Sequence, residues 1–202
     1  MTESFIQCYD NILSEDVCHT LVETSKLYLQ SYKELRTAPG TQQDHRVIKQ
    51  QQSLEECSKI RKSLYSKIDV EKEVTDALYE VYNKSRKEFP TIDKWEDISF
   101  KWKILLTPIG SGIDWHDDRP STLNLTSWRR QSVFIIYLND MEEGELQFKY
   151  FPDLCILPKV GRALIMPVDW PFFHKADKLI SQEKYILTGF FYKKESGLLI
   201  ND

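Results

Sequence analysis

The chain has 202 residues, of which 41% are hydrophobic and 12% aromatic, and 27 Lys plus Arg against 31 Asp plus Glu leave a formal net charge of −4. That length and that supply of apolar side chains suit one globular domain and exclude an intrinsically disordered chain. The mild acidic excess offers no field to draw in a polyanion, so neither nucleic acid nor an anionic membrane is an expected partner.

No apolar run approaches the roughly 18 residues of a membrane-spanning helix, and Met1-Thr-Glu-Ser-Phe-Ile-Gln-Cys lacks the basic-then-apolar layout of a secretory leader. The expected location is cytoplasmic. Cys8, Cys18, Cys57 and Cys155 are unevenly spaced without a C-x-x-C pair, which speaks against a zinc knuckle or disulfide framework and for reduced, buried thiols.

In chain order, a helix is expected after Ser14, whose hydroxyl can cap the first turn. Glu15 and Asp16 suit the positive end of the helix dipole, and Leu13 can pack on Cys18. Residues 37 to 52 are polar and carry Pro39-Gly40, the mark of a long surface loop. A second helical stretch runs from about Ser53 to Phe89, with Val70, Val74, Ala77, Leu78 and Val81 on one stripe and Pro90 ending it. These helices are expected to cover one face of a sheet.

The texture then changes. Ile98, Phe100, Trp102, Ile104 and Leu106 alternate with Ser99, Lys101 and Lys103, the period of a strand with one buried face. Further strands are expected at Val133–Leu138, Leu146–Tyr150, Cys155–Leu157, Ala163–Met166, Phe172–His174 and Tyr185–Tyr192, separated by turn residues such as Pro152-Asp153. Many short strands at this spacing point to a mostly β fold with N-terminal helices, a sandwich or jelly roll rather than a parallel sheet. With no repeat and no sharp boundary, residues 1–202 read as a single domain, with 1–90 as helical support and the β-rich core in 91–202.

Only four histidines are present. His116 lies in Asp114-Trp115-His116-Asp117-Asp118; in a strand, His116 and Asp118 project from one face and can share a metal ion, while Asp117 points away. His174 follows Phe172-Phe173 near a strand edge, where a buried imidazole needs a partner. Two imidazoles and one carboxylate form the facial triad of non-haem Fe(II) oxygenases, and zinc would accept the same donors. Taken singly, His174 also reads as a buried histidine bonded to a backbone carbonyl. Lys184, Ile186 and Thr188 share a strand face; an inward Lys184 would call for an anion, an outward one is an ordinary surface residue. His19 and His45 have no evident partners and read as structural or exposed.

His116-x-Asp118, Ile135-Ile136-Tyr137-Leu138-Asn139, Gly144-Glu145-Leu146, Pro158-Lys159-x-Gly161-Arg162-Ala163-Leu164, His174 and Lys184 follow in order, and this succession resembles the Fe(II)- and 2-oxoglutarate-dependent oxygenases of the prolyl 4-hydroxylase type. The resemblance spans about Ile98 to Lys193, with Tyr9-Asp10-Asn11-Ile12-Leu13-Ser14 a weaker match at the start. It implies a double-stranded β-helix (jelly roll) packed against helices, and makes 91–202 the catalytic core. It also implies iron on His116, Asp118 and His174, and 2-oxoglutarate held by Lys184, with Tyr137 and Thr188 on the same carboxylate. O2 is then the second cosubstrate, the need for ascorbate is open, and no catalytic group beyond the metal ligands is required. Lysine at this position is similar to the collagen-type prolyl hydroxylases, whereas AlkB-like nucleic-acid demethylases use arginines after the distal histidine, and none follows His174 here. Two positions depart from the family: Leu105-Leu106-Thr107 stands where a tyrosine is common, and Glu143-Gly144 replaces a Gly-Gly pair, expected to alter only a hairpin turn.

The polar connection from Asp118 to Val133 adjoins the metal, so Arg119, Trp128 and Arg130 are candidate substrate contacts. Trp102, Trp115 and Trp170 read as core aromatics. The resemblance implies hydroxylation of an aliphatic C–H, foremost of a prolyl residue in a peptide or protein. The same fold also admits a free amino acid or small metabolite, and the other class is a cupin-like, non-oxygenase metal-binding module, in which Lys184 and Tyr137 need not meet in a pocket. The oligomeric state is not legible.

Overall fold

The computed structural model describes residues 5–31, 49–50, 69–92, 98–119 and 129–194. The expected loop 37–52 falls almost wholly outside the described residues, as do residues 53–68 of the expected helical stretch 53–89 and Trp128. Two residues of that loop form a short strand, β2 (Lys49–Gln50), paired with Leu105 and Ile104.

Near the N-terminus β1 (Gln7–Tyr9) leads into helix α1 (Glu15–Ser31). The Ser14 hydroxyl accepts from the Val17 amide at 3.4 Å, and Leu13 and Cys18 are buried in one cluster, so the cap and the staple form as expected. Helix α2 (Val70–Glu88) starts at Asp69, whose carboxylate accepts from the Lys72 amide at 3.2 Å. Acidic Glu71 and Glu73 sit in its first turn and basic Arg86 and Lys87 in its last, each complementing the dipole. Its buried stripe is the expected one, extended by Tyr82 and Ser85.

The remaining strands are β3 (Ile98–Thr107), β4 (Ile113–His116), β5 (Arg130–Tyr137), β6 (Leu146–Phe148), β7 (Phe151–Ile156), β8 (Ala163–Pro167), β9 (His174–Ala176) and β10 (Lys184–Lys193). They form two sheets, a six-stranded one in the order β1-β8-β5-β10-β3-β2 and a four-stranded one in the order β4-β9-β6-β7. Every pairing is antiparallel. This is the jelly roll with N-terminal helices.

The large sheet has two buried faces. One carries Ile98, Ile104, Leu106, Phe134, Ile136, Leu187 and Phe191 against α1 and α2. The other carries Val133, Ile135 and Tyr137 toward Leu146, Phe148 and Ala176 of the small sheet. This corrects the expectation of a single buried face for β3. Its alternation addresses the helices, while Leu105 and Thr107, on the opposite face, are buried as well.

Three further expectations are revised. Pro152-Asp153 lies inside β7 rather than in a turn, and the chain reverses at Lys149-Tyr150 instead. Proline is tolerated there because β7 is an edge strand. Trp170–Phe172 forms a 3-10 turn containing Pro171, so the expected Phe172–His174 strand begins only at His174. Of the described cysteines only Cys18 is buried; Cys8 and Cys155 are exposed on the edge strands β1 and β7.

Candidate functional site

The antiparallel neighbours β4 and β9 set two histidines opposite each other, with His116 in register with His174. Their ring centroids are 4.3 Å apart. Asp118 lies just beyond the end of β4, and its Oδ2 stands 3.8 Å from His174 Nε2. One ligand atom from each of the three falls within 4.8 Å of the others. Two donors each about 2.1 Å from one ion can be at most roughly 4.2 Å apart, so the His174–Asp118 spacing already suits a shared ion.

The second ring nitrogens fix which atoms face that centre. His116 Nδ1 is 2.8 Å from the Asp114 carbonyl oxygen and His174 Nδ1 is 2.8 Å from that of Phe172. A carbonyl only accepts, so each Nδ1 carries the proton and each Nε2 presents a lone pair. The backbone bond expected of a buried His174 is thus present, and it leaves Nε2 turned toward Asp118. Two neutral imidazoles and a carboxylate fit a divalent first-row metal.

Lys184 opens β10 opposite Thr107. It is only 7% exposed, and its Nζ donates to the Gly144 carbonyl at 2.8 Å. Burial pushes the ammonium pKa down from 10.5 to about 8, partly countered by the charges of Glu145 and Glu143. Gly144 has φ +70°, and a Cβ there would meet Leu179 Cδ2 at 2.5 Å and Lys184 Nζ at 3.3 Å. Glycine therefore both makes the turn and leaves room for the ammonium.

Lys184, Ile186 and Thr188 of β10 line one cavity of about 100 Å³ together with His116, Asp118, His174 and Tyr137. Tyr137, paired with Ile186, is buried and its hydroxyl pKa is raised by desolvation. Lys184 and Tyr137 thus converge with the three metal-type donors, which a plain metal-binding jelly roll does not require. Thr188 sits on the expected face, but its hydroxyl donates to the Phe134 carbonyl at 2.7 Å. Its proton is committed to the sheet.

Of the polar connection from Asp118 to Val133, Arg119 and Arg130 fall among the described residues. Arg119 is exposed and donates through Nε and a terminal nitrogen to Asp117 at 3.1 and 2.7 Å, which holds the Asp117 carboxyl below its ordinary range. Asp117 therefore points away from the centre, as the alternation required. The Arg130 guanidinium lies 4.0 Å over the Phe190 ring and donates to the Asp118 carbonyl at 3.3 Å. It braces the backbone of the carboxylate residue from within the protein. Trp102 packs part-buried on the helix side, Trp115 is half-buried and Trp170 is 59% exposed, so none of the three is a core residue.

Several lining residues escaped the sequence reading. Lys103, Leu105 and Thr107 of β3 face the cavity beside β10; the clue was the second, less apolar alternation of that strand. Glu143 does more than alter a turn. Its carboxylate accepts from the Ile180 and Ser181 amides and the Ser181 hydroxyl, tying down the loop before β10, and these bonds hold its pKa low.

Residues 103–192 match the model of the 2OG-Fe(II) oxygenase superfamily. No curated protein matches the sequence significantly. Among solved structures, a viral collagen prolyl hydroxylase from Paramecium Bursaria Chlorella virus-1 superposes with a TM-score of 0.62 at 18% identity, covering 96% of this chain and 98% of that one. A Pseudomonas putida prolyl-4-hydroxylase gives 0.63 at 17%, covering 96% and 95%. A Trichoplax adhaerens prolyl hydroxylase, solved with a hypoxia inducible factor oxygen degradation domain peptide fragment, gives 0.64 at 15%, covering 95% and 84%. At such identities the structural likeness is one of fold, and the matched residues 103–192 include His116, Asp118, Tyr137, His174 and Lys184. The chain thus resembles the Fe(II)- and 2-oxoglutarate-dependent oxygenases, carrying the superfamily's match over residues 103–192 in a prolyl 4-hydroxylase-like fold.

Proposed function

We propose that the protein is an Fe(II)- and 2-oxoglutarate-dependent dioxygenase that hydroxylates an aliphatic C–H, foremost of a prolyl residue in a peptide or protein. The observation that carries this reading is the meeting of three metal-type donors and one buried ammonium in a single cavity. When bound, iron with 2-oxoglutarate and O2 supplies an oxidative decarboxylation, giving succinate and CO2, that is coupled to insertion of oxygen into a C–H bond.

The chain's own residues bind and orient. His116 and His174 offer Nε2 and Asp118 a carboxylate oxygen. Lys184 pairs with the distal carboxylate of the oxoacid as a charge-assisted hydrogen bond, and the Tyr137 hydroxyl donates to the same group. Thr188, its proton engaged by Phe134, contributes a lone pair and a methyl to the wall rather than a donor. Ile186, Val133, Ile135 and Leu146 line the rest and keep water out. Arg130 holds the Asp118 backbone beside Phe190, and Arg119, Trp128 and Arg130 remain the candidate substrate contacts on the adjoining connection. The peptide reading draws on the neighbouring folds, one of which was solved with a peptide fragment. We take residues 1–202 as one unit, with 1–90 supporting a catalytic core in 91–202, inside the cell and without ascorbate as an assumed requirement.

The test is anaerobic addition of Fe(II) and then 2-oxoglutarate, read as the visible charge-transfer absorption of a chelated iron–oxoacid pair, followed by aerobic turnover with candidate substrates. Absorption that vanishes in His174→Ala, with succinate release stimulated by proline-containing peptides, is the expected result. Stimulation by free amino acids alone would replace the peptide reading, and absence of the absorption in folded protein would refute the oxygenase reading.

A further inference from the structure

The two candidate metal-binding histidines are each preceded by an aromatic residue, Trp115 before His116 and Phe173 before His174. Alternation along β4, and along the extended backbone at Phe173 that leads into β9, puts these rings on the face of the small sheet opposite the imidazoles. There they lie almost parallel, with centroids 6.4 Å apart and planes 7° from each other. A cation closes each end of the pair: Lys175 Nζ is 5.4 Å from the Trp115 centroid and Lys149 Nζ is 5.5 Å from that of Phe173. Lys175 is itself held by Asp177 at 2.8 Å, and Asp177 also accepts from Gln147 of β6 at 2.8 Å. The assembly spans β4, β9 and β6.

The backbone beneath it is weak at this point. β4 is four residues long and forms an edge of its sheet. It meets β9 at only two register positions, Ile113 with Ala176 and His116 with His174, with an irregularity between them. The His116–His174 pairing is thus one of only two that join these strands, without a continuous ladder on either side of it.

We propose that Trp115 and Phe173 are a positioning pair, clamping β4 to β9 from the outer face and so setting the spacing of His116 and His174 on the inner one. The inference rests on the metal-centre reading above. Residues that orient metal ligands without touching the metal commonly change affinity about 10- to 100-fold when removed.

The test uses metal-free full-length protein titrated with Mn(II), free ion being read by its EPR signal, beside thermal melts of the metal-free proteins. Trp115→Leu and Phe173→Leu keep apolar bulk on a half-buried surface but lose the flat ring. Each is expected to weaken Mn(II) binding about tenfold, the double variant to be no weaker than either single one, and Trp115→Phe to stay within about twofold of the unmodified protein. Wild-type affinity in both leucine variants, equal losses in Trp115→Phe and Trp115→Leu, or additive losses in the double variant would each overturn the proposal. Should Trp115→Leu not fold, Phe173→Leu reads the same contact from the other strand. Failure of the unmodified protein to bind Mn(II) would instead overturn the metal-centre reading.

Discussion

The charge state of Lys184 offers the sharpest test of the proposed cosubstrate pocket. Burial lowers its pKa from 10.5 to about 8, so roughly nine-tenths of ligand-free molecules carry the ammonium at pH 7 and roughly one-tenth at pH 9. A dianionic oxoacid that needs the charged form should therefore bind with constant affinity up to about pH 7. Its Kd should double by about pH 8 and rise about tenfold by pH 9, a window above ordinary histidine titration. Calorimetry of 2-oxoglutarate binding to Mn(II)-loaded protein between pH 7 and 9.5 measures this. Lys184→Met should weaken binding about 10- to 100-fold at pH 7, as expected for a charged hydrogen bond, and abolish the slope. The sign for stability runs the other way. The folded pKa lies below the unfolded one, so between about 8 and 10.5 the unfolded chain holds more protons, and ligand-free protein gains stability as pH rises through that range. Below it the buried ammonium costs about 3 kcal/mol, and Lys184→Met should raise the Tm of the ligand-free protein at pH 7. Oxoacid affinity that is flat to pH 9, or the same slope in Lys184→Met, would refute the reasoning.

Asp118→Ala should abolish Mn(II) binding while Asp117→Ala leaves it within about threefold, because the Asp117 carboxylate is turned outward onto Arg119; comparable losses would show that the wrong carboxylate was chosen. Glu143→Ala should expose the Ile180 and Ser181 amides to rapid hydrogen exchange, since that carboxylate accepts from both, and should loosen 2-oxoglutarate binding through the Lys184 strand that follows. Unchanged exchange at residues 180 and 181 would mean the loop is held by its own turn instead.

What was legible in the sequence followed short periods. The His116-x-Asp118 pair, the α2 stripe from Val70 to Val81 and the common face of Lys184, Ile186 and Thr188 each rest on a repeat of two or on helical spacing within one element, and all appear as read. What was missed depends on contacts distant in sequence. Nothing near Glu143 announces that it meets a loop 37 residues away, and nothing near Arg130 that its guanidinium returns to the Asp118 carbonyl. Thr188, expected on the oxoacid carboxylate, gives its proton to the carbonyl of Phe134 on a neighbouring strand, a partner that its own segment does not announce. β7 was shortened because Pro152 signals a turn unless the strand is known to be an edge. β1, three residues long, is too short for any period to register.

The two halves of the site are held by unlike means. The proposed cosubstrate half belongs to the large sheet, where Lys184 stands on β10, which shares a ten-residue ladder with β3, and Tyr137 on β5, which pairs with both β10 and β8, the sheet resting on α1 and α2. Rigidity there comes from backbone and core, so only substitution of the lining residues or of the core should disturb the anion site. The proposed metal half belongs to a short edge strand, Asp118 two residues past it and a three-residue strand. Its precision has to come from individual contacts: two Nδ1–carbonyl bonds, Arg130 on the Asp118 carbonyl, and the Trp115–Phe173 stack. Metal affinity should therefore respond to changes on the outer surface of the small sheet that leave 2-oxoglutarate recognition intact, and the two affinities should separate along the boundary between the sheets.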